Sequence, residues 1–178
     1  MTKYGEIIYA IASGNFGLIS SAEAKEAGVD NNELVQYARR GKLERVGQGL
    51  YRLSQRIPEE NDSYAVAVAL VGPEAYLYGE GVLGLLNLCP VNPAYIPVAT
   101  PKRVRKNLPS YIRLTPTRMH EDVVMYDGIR SQTAYKAIQS SIPAVLPDRL
   151  LEATHNAFDE GYISKKERSK LTAELARL

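Results

Sequence analysis

The stretch Ser20-Ser-Ala-Glu-Ala-Lys-Glu-Ala-Gly28-Val-Asp30-Asn-Asn-Glu33, followed by Arg39-Arg-Gly-Lys-Leu-Glu-Arg-Val-Gly-Gln-Gly-Leu-Tyr51-Arg-Leu53, decides how this chain begins to fold. Ser20 with Glu23 three residues on is a capping box. The hydroxyl accepts a hydrogen bond from the third helical residue and the carboxylate reaches back to the cap. It opens a short helix over 22–27 that Gly28 closes. Asp30 with Glu33 repeats the start signal, and the helix that follows runs from Asn31 to Arg40 and stops at Gly41. Two short runs, 43–46 and 50–53, then flank Gly47-Gln48-Gly49, which predicts a hairpin with a three-residue loop. Upstream, Ile7, Ile8 and Ile11 share one helical stripe with Tyr4 a turn before, predicting a helix over 4–13. Helix, helix, helix, hairpin is the order of a winged helix-turn-helix, in which the second helix of the motif enters the DNA major groove.

In the helix after Asp30, Leu34, Tyr37 and Ala38 fall at i, i+3 and i+4 and are expected to face the core. Asn31, Asn32, Gln36, Arg39 and Arg40 then point outward as candidate reading residues. Asn and Gln pair bidentately with adenine, and Arg with guanine. In the hairpin, Arg45 and Arg52, with Gln48 at the tip, are candidate contacts to phosphates or the minor groove. Residues 1–56 carry eight Lys/Arg against six Asp/Glu, while residues 57–178 carry fourteen of each. The whole positive excess therefore sits in this first part, where a polyanion would bind. A pair such as Arg39-Arg40 at a helix end also has a plainer use, as a complement to the macrodipole.

Gly17-Leu-Ile-Ser20 through Val29, then Leu34, then Arg39 to Leu53, resembles the N-terminal domain of the AbiEi-type antitoxins of bacterial type IV toxin–antitoxin, or abortive infection, systems. The hairpin, with its paired glycines and following Tyr51, carries most of the likeness. Gly72-Pro73 to Leu88 is similar to the strand and helix that open that family's second domain, and Ile129 to Ile138 to a strand-to-helix step within it. The resemblance implies a DNA-binding transcriptional repressor of its own operon; helix-turn-helix proteins often bind inverted repeats, here expected upstream of that operon, and a cytoplasmic location is expected by elimination. It also implies an antitoxin, part of phage defence, that counters a nucleotidyltransferase-like toxin without forming a stable complex with it. Two positions depart from the family pattern. The reading helix opens on Asp30-Asn31-Asn32 rather than on a basic residue, and Tyr78-Gly79 stand where Ser-His is frequent and Leu86 where a histidine is, so no histidine role carries over.

The polar stretch Ser54 to Asp62, with Pro58 inside it, reads as a linker. Two domains are expected, a winged helix over 1–56 and an antitoxin domain over 57–178. An apolar helix over 62–71, strands at 95–99 and 111–115, a hairpin over 123–131 around Asp127-Gly128, and helices at about 133–141, 148–158 and 165–177 make the second an α+β domain. The last helix opens on another capping box, Ser164 with Glu167. The fold class is thus mixed α/β, a winged helix-turn-helix followed by a larger α+β domain. Between two of the strands lie Lys102, Arg103, Arg105 and Lys106, the densest positive cluster in the chain and a candidate second nucleic-acid contact. A solvated loop is its plainer reading.

Composition closes off other classes. Hydrophobic residues at 45% and charged residues at 24% suit a globular protein, and a net charge of +2 imposes no overall field. No apolar run reaches membrane-spanning length, the N-terminus lacks the form of a signal peptide, and a membrane partner is not expected. A single cysteine, Cys89, and two histidines, His120 and His155, leave no zinc ligand set and no disulfide framework. Cys89 is expected to be a buried small apolar residue, and Glu80 to favour a helix start. His120-Glu121-Asp122 are immediate neighbours that would not converge in a helix, and no second cluster completes a site. No metal, cofactor or catalytic residue is expected, and the protein is not read as an enzyme. The alternatives are a protein–protein or RNA-binding adaptor and, further off, a nuclease with a winged-helix targeting arm. No heptad seam is visible, so both a monomer and a dimer on the DNA stay open.

Overall fold

Local capping sets the first three helices. The computed structural model describes residues 2–117 and 122–178, so His120 and Glu121 lie outside the described residues. Helix α1 spans Lys3–Ser13, with the Thr2 hydroxyl accepting from the Gly5 N–H. Strand β1 covers Leu18–Ser20, α2 Ser21–Glu26 and α3 Asn31–Arg39. Both arms of the Ser20/Glu23 capping box are formed. At α3 the start differs from a reciprocal box. Asp30 Oδ1 accepts from the N–H of Asn32, two residues on, as an Asx side chain readily does.

Strands β2, Leu43–Gly47, and β3, Leu50–Leu53, form the hairpin. Gly47 pairs with Leu50, so the loop is shorter than the three residues expected and only Gln48 and Gly49 lie at the tip. An irregularity between Arg45 and Gly47 absorbs the difference. Gly49 takes φ +70°, which favours glycine. Strand β1 pairs antiparallel with β3, giving a sheet in the order β1-β3-β2. This third strand is absent from the sequence reading.

Register gives the sheet two different faces. Ile19, Tyr51, Leu43 and Leu53 share one face and join Ile8, Ala12, Ala24, Val29 and Leu34 in one core. Burying each large aliphatic side chain contributes about 1.5–3 kcal/mol. Leu18, Leu50, Gly47 and Arg52 share the other face, and Leu18 and Leu50 are buried as well. Helix α4, Asp62–Val71, reaches that side, where Leu70 lies so close to Gly47 that a Cβ there would overlap its Cδ2. Arg56 anchors the approach to α4. Its Nε and terminal nitrogen donate to Asp62 at 3.3 and 2.9 Å, and its guanidinium stands 5.8 Å from the Phe16 ring centre.

The chain divides into two compact units, Met1–Leu70 and Val71–Leu178. The second is built on a five-stranded mixed sheet of β4 (Tyr76–Leu77), β5 (Ile96–Thr100), β6 (Ile112–Pro116), β7 (Val123–Tyr126) and β8 (Ile129–Gln132), in the order β6-β5-β4-β8-β7. The pairs β5/β6 and β4/β8 are parallel, while β4/β5 and β7/β8 are antiparallel. Asp127 and Gly128 both take positive φ at the β7–β8 turn, as a two-residue hairpin of this twist requires. Helices α5 (Glu80–Leu85), α6 (Ala134–Ser141), α7 (Pro147–Asp159) and α8 (Lys165–Leu175) complete the α+β arrangement. Leu77, Leu83, Leu88, Ile138, Leu150 and Leu171 are fully buried. Gln132, also fully buried, accepts from the Gly79 N–H at 3.1 Å and donates to Ser140 Oγ at 2.9 Å, tying β8 to the starts of α5 and the end of α6. Among the described residues no helix is long and apolar enough to cross a membrane.

Candidate nucleic-acid interface

Helix α3 turns Leu34 inward and packs Tyr37 and Ala38 against the same core. Asn32, Gln36 and Arg39 are left exposed at i, i+4 and i+7, so they form one stripe opposite the core. Arg40, exposed, caps the helix beside that stripe. The stripe contains no carboxylate. Asn31 lies off to its side, where its Oδ1 accepts a 2.9 Å hydrogen bond from Ser21 Oγ. That contact positions the start of α3 and takes up part of the Asn31 amide.

The wing separates its three candidates. Gln48 is exposed at the tip, and Arg45 is exposed on β2, its Nε donating to the Gly47 carbonyl at 3.4 Å. Arg52 differs. It sits directly across from Glu44 and donates to Oε2 at 2.9 Å, with only 21% of its side chain exposed. Its guanidinium is therefore neutralised on the sheet face that Leu70 approaches, and Arg45 and Gln48 are the open groups of the wing. The Arg52–Glu44 pairing depends on the irregularity between Arg45 and Gly47, since a regular hairpin around residues 48–49 would set Arg52 opposite Arg45 instead.

Ser21 was not among the sequence candidates, yet it joins the parts. Its N–H donates to the Gly49 carbonyl at 2.9 Å while its hydroxyl holds Asn31. The wing tip, the start of α2 and the start of α3 meet at this one residue. Only the serine doublet at 20–21 hints at it, because the hydroxyl's use depends on pairing between distant segments.

Behind the stripe, a groove of about 800 Å³ opens within the first unit, with Ile8, Leu43 and Leu53 in its lining and Arg40 and Lys42 among its charged groups. Tyr37 at its wall shares a hydrogen bond with the Thr2 hydroxyl. In the second unit, Lys102, Arg103 and Arg105 are exposed on the loop after β5, and Lys106 is half-buried beside them. Cys89 is buried, and that burial, reinforced by the charge of Glu152 and opposed by Arg149, pushes its thiol up to about 11. A thiol so placed is a poor nucleophile at neutral pH. Glu80 lies in the first turn of α5, where its charge suits the helix dipole. Among the described residues no three His, Cys, Asp or Glu side chains converge on a point that would hold a metal ion.

Three helices, a β1-β3-β2 sheet and an uncovered polar stripe on the third helix make the first unit a winged helix-turn-helix. Residues 6–54 match the sequence model of a family described as transcriptional regulator, AbiEi antitoxin, which bears out the resemblance carried by the hairpin. The chain is also similar to the crystal structure of the RV2827C protein from Mycobacterium tuberculosis, with 14% identity and a TM-score of 0.47 over 97% of this chain and 72% of that one. No curated protein matches the chain.

Proposed function

We propose that this protein is a DNA-binding repressor of its own operon and an antitoxin that counters a nucleotidyltransferase-like toxin without a stable complex between them. The observation that carries the DNA reading is the acid-free stripe Asn32, Gln36 and Arg39 on the outward face of α3, with Arg40 at its end. These side chains offer amide and guanidinium forks suited to adenine and guanine edges. Arg45 and Gln48 extend the same unit toward a phosphate backbone or minor groove. The family match over residues 6–54 supports regulation and antitoxin action. No step of this function calls for a cofactor or a catalytic residue, and the cytoplasm is where operator and toxin would be met.

The test is a gel shift and footprint of the purified protein on DNA upstream of its own gene, at about 50 and 200 mM salt. The expected result is a protected inverted repeat, lost in Arg39→Ala/Arg40→Ala. With six or more phosphate contacts, affinity falls roughly 10³-fold across that salt range. A monomer filling half-sites in sequence and a dimer filling both at once are separated by the titration shape. Absence of any specific shift at low salt sinks the autoregulation reading. Growth rescue from the adjacent toxin by the α3 variant would then show whether antitoxin action stands apart from DNA binding.

A further inference from the structure

Strands β5 and β6 are parallel neighbours, yet no helix covers the crossover between them. Residues 101–111 run instead as an irregular loop. Strand β4 runs antiparallel to β5, with Tyr76 opposite Ala99, so the turn before β4 lies beside the carboxyl end of β5. That turn, Gly72-Pro73-Glu74, and the loop from Thr100 to Lys106 enclose a recess of about 270 Å³. Carboxyl ends of strands in α/β sheets are frequent ligand positions.

Four cations line this recess against one carboxylate. Glu74 occupies only Lys102, at 3.4 Å, with side chains 45% and 70% exposed, so the pair opens readily. Arg103, Arg105 and Lys106 have no hydrogen-bond or ion-pair partner among the described residues. Lys106 is half-buried, and burial lowers its pKa, the mark of an ammonium partly stripped of water with no anion beside it. The buried Thr100 hydroxyl accepts from the Lys102 N–H at 3.2 Å and fixes how the loop leaves the strand. Two guanidinium forks and two ammonium groups around a small recess suit a compact, multiply charged oxyanion better than a single carboxylate.

We propose that the recess between residues 72–74 and 102–106 is a phosphate-binding site, filled by a phosphate of a single-stranded nucleic acid or of a free nucleotide. The site is independent of the winged helix. It gives the basic loop a defined ligand chemistry in place of a diffuse attraction.

The test uses the full chain and three probes: a fluorescein-labelled oligouridylate of about twelve nucleotides, followed by anisotropy, with uridine monophosphate and pyrophosphate as competitors. Arg103→Gln/Arg105→Gln replaces two exposed side chains and should leave the far-UV spectrum and melting unchanged. It is expected to weaken oligonucleotide binding about tenfold or more and to reduce the salt slope by about 1.4, near 0.7 per lost contact. Lys106→Gln should weaken binding in the same direction, and Gln36→Ala/Arg39→Ala on α3 should leave it intact. Competition by uridine monophosphate supports the site with a free nucleotide as its ligand. Binding of the oligonucleotide without such competition supports it with the strand backbone as its ligand. Failure of every probe to bind, survival of binding in Arg103→Gln/Arg105→Gln, or loss of binding only in the α3 variant each overturns the proposal. An operator gel shift on the same preparations reports on the repressor reading separately.

Discussion

Replacing Arg56 with alanine should be among the most damaging single changes available in the first unit. Arg56 is the double hydrogen-bond donor to Asp62, at 3.3 and 2.9 Å, and the Asp62 side chain is only 5% exposed. Breaking a fully buried ion pair costs roughly 3–5 kcal/mol, because the remaining charge is stranded. Here the Arg56 side chain is 22% exposed, so water can enter the vacated space and the lower half of that range applies. The cation–π contact with Phe16 adds about 0.5 kcal/mol. The exposed Glu59, at 3.7 Å, contributes little. The sum is about 4 kcal/mol. Arg56→Lys retains the charge but not the fork and should cost about 1–2 kcal/mol. Adding Asp62→Asn to Arg56→Ala removes the stranded charge and should recover more than half of the loss. Urea unfolding followed by circular dichroism and tyrosine fluorescence measures all four chains, analysed as two transitions if the units unfold separately. A cost below about 1 kcal/mol for Arg56→Ala, or no recovery with Asp62→Asn, would refute the stranded-charge account.

Other outcomes follow from the same geometry. On the operator, Gln36→Ala or Arg39→Ala should each cost about 1–3 kcal/mol and relax preference at one base position, whereas Arg45→Ala should weaken all sequences alike and lower the salt slope by about 1. Arg52→Ala should change affinity least among these, because Glu44 already holds it; a loss equal to that of Arg45→Ala would contradict this. Gly47→Ala should destabilise the first unit by about 1–3 kcal/mol, read by thermal melting, since Leu70 must move from the added methyl. Cys89 should resist a thiol reagent at pH 7.5 until the chain unfolds. Its neutral thiol is favoured by folding, so that contribution is complete below the ordinary value of 9.0 and is lost as pH rises through about 11, which alkaline unfolding curves of Cys89→Ala against the parent chain would register.

What the sequence revealed was what a few adjacent residues decide. The Ser20/Glu23 and Ser164/Glu167 boxes, the Asp127-Gly128 turn and the stripe of Leu34, Tyr37 and Ala38 are short-range devices, and each forms as expected. Strand β1 escaped because three residues are too few to show alternation, and Leu18–Ser20 becomes a strand only by pairing with β3 thirty or more positions away. The burial of Leu18 and Leu50 on the second sheet face was hidden for the same reason. In the second unit the elements could be placed, but not the order β6-β5-β4-β8-β7, which depends on pairings between distant strands. Within the interface, the residue types and their outward side were readable on α3. The separation of Arg52 from Arg45 was not drawn, because it follows from register and from Glu44. Gly79 holds its place for a backbone reason that no neighbouring residue announces. Its φ of +47° with ψ of −122° is a backbone conformation that residues with a Cβ rarely adopt, and its N–H is committed to Gln132.

Ser20 and Ser21 make the wing and α3 a single mechanical part. Ser20 ends β1 and caps α2, and Ser21 holds the wing tip by its amide and α3 by its hydroxyl. A pull on Gln48 is therefore transmitted to Asn31 through two hydrogen bonds, not through a loose loop. On the proposed DNA reading such a part is shaped before contact, so little ordering would remain to oppose association. Its amide hydrogens should exchange as one cooperative block spanning the wing and α3, and the same stiffness would limit how far α3 could adjust to a groove of different width.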